Sequence, residues 1–488
     1  MNLKSLFAFL GAFGLLLTAA EAPAFCGFYV AKADASLFNN TSEVILVRDQ
    51  NHSVITMSSD FQGDVSEFAM VVPVPVVLNE QDIRVVRPWL FDQLNNYSAP
   101  RLVEYYDHNP CQQFVKNYAW AETRTLAGVA MMDMMVEFEE DADLGVTIEA
   151  QYLVGEYDIL ILSAKDSKGL KTWLTGNGYQ IPGNAHEVLD PYIKNQLKFF
   201  VVKVNEQAYA NLGSQGLSPI QITYESDRFM LPIRLGMANS KGTQDMVVYT
   251  LTRQGRVECT NYRNVEMPTG NNIPLFVKPD FGDFYVDLFD RQYTLNGRNS
   301  IFTEYAWTVT PSWGGMKCDP CVGPPPMEQE FADAGVDWLN SGDPVFFTRM
   351  HVRYSRDKFP QDLQFQVTPN KQHYQARYVL THSASGDFSC EDGQAYLRTQ
   401  RQRRQDEVDN LQALTGWQHH KSQRYITELD HLMNDAPQDT NKGEVLPTPV
   451  PDLPPPPSGP GAGMWVLLGF FALLLTLKML GRRTLAAG

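Results

Sequence analysis

Apolar and polar positions alternate with period two over much of the chain. Glu43-Val-Ile-Leu-Val-Arg48 and His52-Ser-Val-Ile-Thr-Met57 flank the polar Asp49-Gln-Asn51, a pattern that predicts a hairpin. Glu67 to Val77 is a β-branched run, but Pro73 and Pro75 cannot donate to a ladder. That places its second half at a sheet edge or leaving the sheet. Val146 to Val154 puts Val146, Ile148, Ala150, Tyr152 and Val154 on one face, Gly155-Glu156 turns, and Tyr157 to Leu162 returns as a more buried strand. Lys198–Val204, Ile220–Tyr224, Phe229–Leu235 and Asp245–Thr252 read as further strands. Phe346–Tyr354, Leu363–Val367 and Tyr374–Leu380 read as a last sheet.

Helical spacing is confined to short stretches before the last cysteine. Pro88–Leu94 is opened by proline, and Lys168–Leu174 is stopped by Gly176-Asn-Gly178. Ala185–Gln196 and Ala332–Asn340 are two more. After Cys390 the period becomes 3.6, with Leu397, Val408, Leu411 and Leu414 on a narrow stripe of Gly393–Leu414. Thr415-Gly-Trp417 breaks it and His420–Met433 resumes. The fold class this predicts is α+β, with mainly antiparallel sheets, intercalated short helices and a C-terminal helical segment.

The two ends carry a different signal. Lys4, the apolar Leu6–Leu17 and Ala22-Pro-Ala24 read as a signal peptide over residues 1–24. A Pro-rich linker over 438–462, favouring extended polyproline II, precedes an apolar stretch broken only by Thr476 and Lys478. Met464 to Leu480 spans about 26 Å as a helix, at the short end for crossing a bilayer. It predicts one transmembrane helix over 463–481 and a short basic tail, 482–488, held on the cytoplasmic side by Arg482 and Arg483. The expected body, 25–437, then lies outside the cytoplasm, and the chain contacts the bilayer through that helix. It is long enough for two subdomains divided near 255–300. A second reading makes the tail a sorting signal whose removal releases the mature protein.

Net charge is -16, from 56 acidic against 40 basic residues, which argues against nucleic acid as a partner. The six cysteines, Cys26, Cys111, Cys259, Cys318, Cys321 and Cys390, are an even set in an exported chain, so all six are disulfide candidates. Cys26 with Cys111 is the expected first pair. Cys318-Asp-Pro-Cys321 lies in a Pro- and Gly-dense loop, Trp307–Pro326, which favours a structural cross-link over redox chemistry there or zinc on the four later cysteines. The nine histidines show no metal spacing, and His419-His420 diverge if helical. Glu139, Glu140, Asp141 and Asp143 read as a solvated acidic loop, because Gly145 is misplaced for a calcium-binding loop. Arg401, Arg403 and Arg404 read as a solvated helix face rather than a docking face. Trp89, Trp120, Trp173, Trp307, Trp313 and Trp338 read as core.

Cys26-Gly-Phe-Tyr-Val-Ala-Lys-Ala-Asp-Ala, the Arg48-Asp49 turn and Glu67-Phe-Ala-Met-Val-Val-Pro-Val-Pro resemble the bacterial family catalogued as domain of unknown function number 2330. Lys171-Thr-Trp-Leu-Thr-Gly-Asn-Gly-Tyr179, Cys318-Asp-Pro-Cys321 and Cys390…Leu414-Thr-Gly-Trp417 are similar to further signatures of it. The resemblance implies an exported bacterial protein and supplies no catalytic residue, cofactor, metal or ligand. No His-Glu-x-x-His, Gly-x-Ser-x-Gly or phosphate-binding loop is present. The expectation is a non-enzymatic binding or scaffold module of the envelope, with envelope proteins as partners. The alternative is an extracytoplasmic enzyme, either a hydrolase with a scattered site or a thiol oxidoreductase.

Overall fold

The Glu43–Met57 hairpin forms as the pattern predicts and becomes the middle of the largest sheet. A computed structural model describes residues 28–29, 42–58, 69–112, 144–177, 179, 185–211, 217–239, 242–312, 324–339 and 343–428. With strands numbered along the chain, the central sheet runs β14 (Arg263–Glu266), β16 (Ser300–Val309), β17 (Val345–Tyr354), β12 (Gln244–Thr252), β2 (Ser42–Asp49), β3 (His52–Met57), β10 (Ile220–Glu225) and β5 (Ile83–Val85). β19 (Tyr374–Gln375) pairs with β16 outside that path. A second sheet runs β1 (Phe28–Tyr29), β4 (Ala69–Val74), β9 (Lys198–Val204), β8 (Tyr157–Ala164) and β7 (Val146–Val154). Two small sheets follow: β11 (Met230–Leu231), β18 (Leu363–Val367) and β13 (Val257–Cys259), then β15 (Asn271–Asn272), β20 (Arg377–His382) and β6 (Arg101–Tyr106).

The α+β class and mainly antiparallel pairing hold. Among the described strands, the parallel pairs are β2 with β12, β14 with β16, β15 with β20 and β6 with β20. The two large sheets face each other across one apolar layer, to which β4, β8 and β9 contribute Val72, Ile159 and Phe200, and β2, β12 and β17 contribute Val44, Val248 and Val352. Helices Ser167–Gly176 and Ala185–Lys194 cover the outer face of the five-stranded sheet through Leu170, Trp173 and Leu189. On the outer face of the central sheet, helix Trp89–Ser98 buries Leu90, Phe91 and Leu94, and helix Phe281–Leu295 buries Phe284, Leu288 and Phe289. The result is four layers, helix–sheet–sheet–helix. Each buried Leu or Phe contributes about 1.5–3 kcal/mol relative to exposure.

Several expectations are corrected. The alternating face of β7 is split: a bulge between Ile148 and Ala150 turns Val146 and Ile148 toward the helices but Ala150, Tyr152 and Val154 toward the central sheet. Phe229–Leu235 gives only the two-residue β11 before a helix, Arg234–Asn239, and the 332–340 helix forms instead at Glu328–Asp333. The expected last sheet does not exist as one sheet, since β17, β18 and β20 join three different ones. Residues through Met433 form one compact unit, and β12, before 255, pairs with both β2 and β17, the latter beyond 300. The Glu67–Val77 run leaves the sheet after Val74, while Pro73 itself stays in β4 opposite Phe199 of β9. Helix Glu391–Thr415 ends on Gly416 at φ 82°, the left-handed cap that the Thr-Gly-Trp break implied.

Among the described residues no helix is long and apolar enough to cross a membrane. The expected signal peptide, linker, transmembrane span and basic tail lie outside those residues.

Candidate functional site

The densest set of perturbed ionisable groups lies on the outer face of the central sheet, between its two covering helices. Strand alternation puts Arg349, His351 and Arg353 of β17 on this face, while Met350, Val352 and Tyr354 point into the inter-sheet core. Cross-strand register sets Arg353 opposite Asp245 and Arg349 opposite Tyr249 on β12. Glu304 is the extra residue of a β16 bulge: Thr303 pairs with Met350 and Tyr305 with Arg349, leaving Glu304 between them.

These groups form one connected array. Arg349 Nε donates to Glu304 Oε2 (2.6 Å), and the Tyr285 hydroxyl donates to Glu304 Oε1 (2.5 Å). His351 Nδ1 lies 3.1 Å from Glu304 Oε1, and its Nε2 lies 2.9 Å from Asp245 Oδ1. Arg353 Nε donates to both Asp245 oxygens (2.9 and 3.0 Å), and its Nη1 reaches Asp290. Arg349 Nη1 donates to Asn95 Oδ1 of the Trp89–Ser98 helix (2.6 Å), so the array ties that helix to the Phe281–Leu295 helix through the sheet. The Phe289 ring stacks on His351 at 3.8 Å. Exposure of the side chains falls from 53% at Asp290 to 1% at Glu304, so the array runs from solvent into the interior.

Burial pushes the Glu304 carboxyl up, but the Arg349 guanidinium, His351 and Tyr285 outweigh it and hold it at about 2. Burial opposes the His351 charge, yet its bonds to Asp245 and Glu304 raise its pKa above the usual histidine value. Asp245 is lowered, its burial being outweighed by His351 and Arg353. An imidazole with a carboxylate on each nitrogen is held as the cation and has no free lone pair to act as a base. The array is thus built to hold charge in place rather than to shuttle a proton.

The linkage sign follows. Glu304 has a lowered folded pKa, so its stabilisation is complete above the ordinary carboxylate value of 4.5 and is lost as pH falls toward about 2. His351 has the opposite sense: its contribution is complete below about 6.5 and is lost as pH rises through its raised folded value. Urea unfolding across pH is expected to show both limbs, and Glu304→Gln should flatten the acid one. An acid limb that Glu304→Gln leaves unaltered would assign it to other carboxylates.

The sequence-predicted residues are distributed as follows. Cys111 is bonded to Cys390, 279 residues on, which corrects the expected Cys26–Cys111 pair. The reason is topological: β6 and β20 run parallel and in register, so their downstream ends bring residues just after Tyr106 and His382 together. Cys259 is buried and unpaired among the described residues, with its thiol on Asn261 Oδ1 at 3.2 Å, and burial raises its pKa. With Cys390 consumed and Cys259 buried, a four-cysteine zinc site is overturned. Cys26, Cys318 and Cys321 lie outside the described residues, as does the 139–143 acidic run.

Arg403 and Arg404 are not a solvated face. Arg403 pairs with Asp107 (2.5 Å), and Arg404 is buried with Nη1 on the Tyr425 carbonyl (2.7 Å). His419 and His420 are not helical, and their rings stack at 4.5 Å instead of diverging. Trp173 and Trp338 are buried in core, and Trp89 and Trp307 are half-buried. Trp120 and Trp313 lie outside the described residues. Open clefts also line the surface, one of about 440 Å³ formed by Asp280, Asp283, Val286, Asp287, Trp417 and His419. Among the described residues no group of three or more His, Cys, Asp or Glu side chains is placed to hold a metal.

Residues 20–366 match a family described as an uncharacterized protein conserved in bacteria, domain of unknown function 2330. The match stops before β19, β20 and the helices that follow, so Cys390 and Leu414-Thr-Gly-Trp417 lie outside it. No curated protein and no solved structure matches the chain. The matched stretch is well over half of the 488 residues, and the chain belongs to this bacterial family.

Proposed function

We infer that the chain is an extracytoplasmic binding or scaffold module, tethered to a bacterial inner membrane by its C-terminal apolar segment and working through envelope protein partners. The observation that carries this is the Cys111–Cys390 bridge, which joins parts of the chain 279 residues apart. A long-range disulfide of this kind suits an oxidising compartment. The apparent leader at 1–24 and the apolar stretch at 463–481 support the same placement. The saturated His351 array supports binding over catalysis, because its imidazole is spent on two carboxylates.

Two measurements test this reading. Protease added to intact spheroplasts is expected to digest the body while leaving a small membrane-embedded C-terminal fragment; a body protected from protease would place it in the cytoplasm. Purified full-length protein is then assayed against ester, peptide and glycan substrates. Turnover abolished by one substitution would overturn the non-enzymatic reading.

A further inference from the structure

The two sulfurs of the Cys111–Cys390 bridge have different surroundings. Cys390 is the N-cap residue of the 25-residue helix Glu391–Thr415, and its Sγ accepts the Gly393 amide N–H at 3.2 Å. Cys111 belongs to a short turn, with backbone bonds from the Gln112 amide to the Asn109 carbonyl (3.0 Å) and from the Asp107 amide to the His382 carbonyl (2.9 Å), and among the described residues no helix amides cap its sulfur. Asn109 Oδ1 accepts the Cys111 amide (2.9 Å), and Asn109 Nδ2 donates to the Ser385 and Asp387 carbonyls (3.1 and 3.0 Å). Both cysteines are half-buried, so a small thiol can reach the bridge.

We propose that this bridge is a one-sided reducible clamp, in which an external dithiol attacks the Cys111 sulfur and expels Cys390. The attacking thiolate forms a new S–S bond to Cys111 as the Cys111–Cys390 bond breaks, and the electron pair stays on Cys390 Sγ. The reductant's second thiolate then attacks its own sulfur in the mixed disulfide and releases the Cys111 thiolate. One dithiol is oxidised, two cysteines are reduced, and the dithiol's two protons balance the new thiols. Cys390 is the better leaving group because the helix amides and their dipole stabilise its thiolate. Glu391 and Asp392 in the first turn oppose this, but both are exposed and screened. Asp387 is turned to the Ser389 amide and hydroxyl (2.9 and 2.8 Å). Reduction therefore frees the Asp107–Gln112 turn from its covalent tie, while Cys390 stays in place as the cap of an intact helix.

The test treats native full-length protein briefly with limiting glutathione, quenches in acid and maps the mixed disulfides. The Cys111 adduct is expected in at least about threefold excess over the Cys390 adduct, as leaving-group ability dictates. Equal adducts, an excess on Cys390, or no reduction without denaturant would overturn the proposal. Amide hydrogen exchange of the fully reduced protein provides a second readout. Faster exchange at 107–112 with unchanged protection at 394–400 supports the one-sided clamp; loss of protection in that helix turn contradicts it.

Discussion

Glu304→Ala is expected to lower the unfolding free energy by about 3–5 kcal/mol, the cost of leaving a buried charge without its partner. Arg349 is 7% exposed and would keep only Asn95 and Tyr249 as polar contacts among those that now hold it. His351 would lose one of its two carboxylates, and the Tyr285 hydroxyl its acceptor. Arg349→Met in the Glu304→Ala background should then cost much less than Arg349→Met alone, because the removed cation was already unpaired. Urea titration of the four proteins measures the coupling. Additive losses would show that the array is a set of independent contacts.

Loss of the disulfide is the second large effect. Cys111→Ser with Cys390→Ser is expected to cost about 2–5 kcal/mol, with the serine at 390 still able to cap the helix. Gly393→Ala reaches the same bond by another route. A Cβ there would lie 2.6 Å from Cys111 Sγ and 2.8 Å from the Phe388 backbone, so the first helix turn and the bridge cannot both keep their places. The alanine variant should show a reactive thiol pair after alkylation of native protein. Alkylation-resistant cysteines in that variant would mean that the Phe388 segment yields instead.

Legibility in the sequence followed how local the deciding interaction was. The β2–β3 hairpin was readable because two apolar runs and a polar turn carry all of its information within sixteen residues, 42–57. The Arg349, His351 and Arg353 positions also carried a signal: charged residues at i, i+2 and i+4, alternating with Met350 and Val352, mark a strand with one polar and one apolar face. Their partners carried none. Glu304 reaches His351 and Arg349 only through a bulge that tertiary pairing creates, and Tyr285 lies on the Phe281–Leu295 helix, for which no element was predicted. The stripe of helix Glu391–Thr415 was read from its leucines, but its inner face also includes Gln400, Arg404 and Glu407, which look solvated in sequence. The cysteine pairing depended on two strands more than 270 residues apart running parallel, which no local pattern encodes.

The most direct test of a disulfide-held extracytoplasmic body is a peptide map of the protein from its host's membrane fraction, with thiols blocked at lysis. The account predicts a cross-linked peptide joining Cys111 to Cys390, and Cys259 alkylated only after unfolding. Blocked thiols at both Cys111 and Cys390 in the native protein would contradict it, removing both the bridge and the compartment inferred from it.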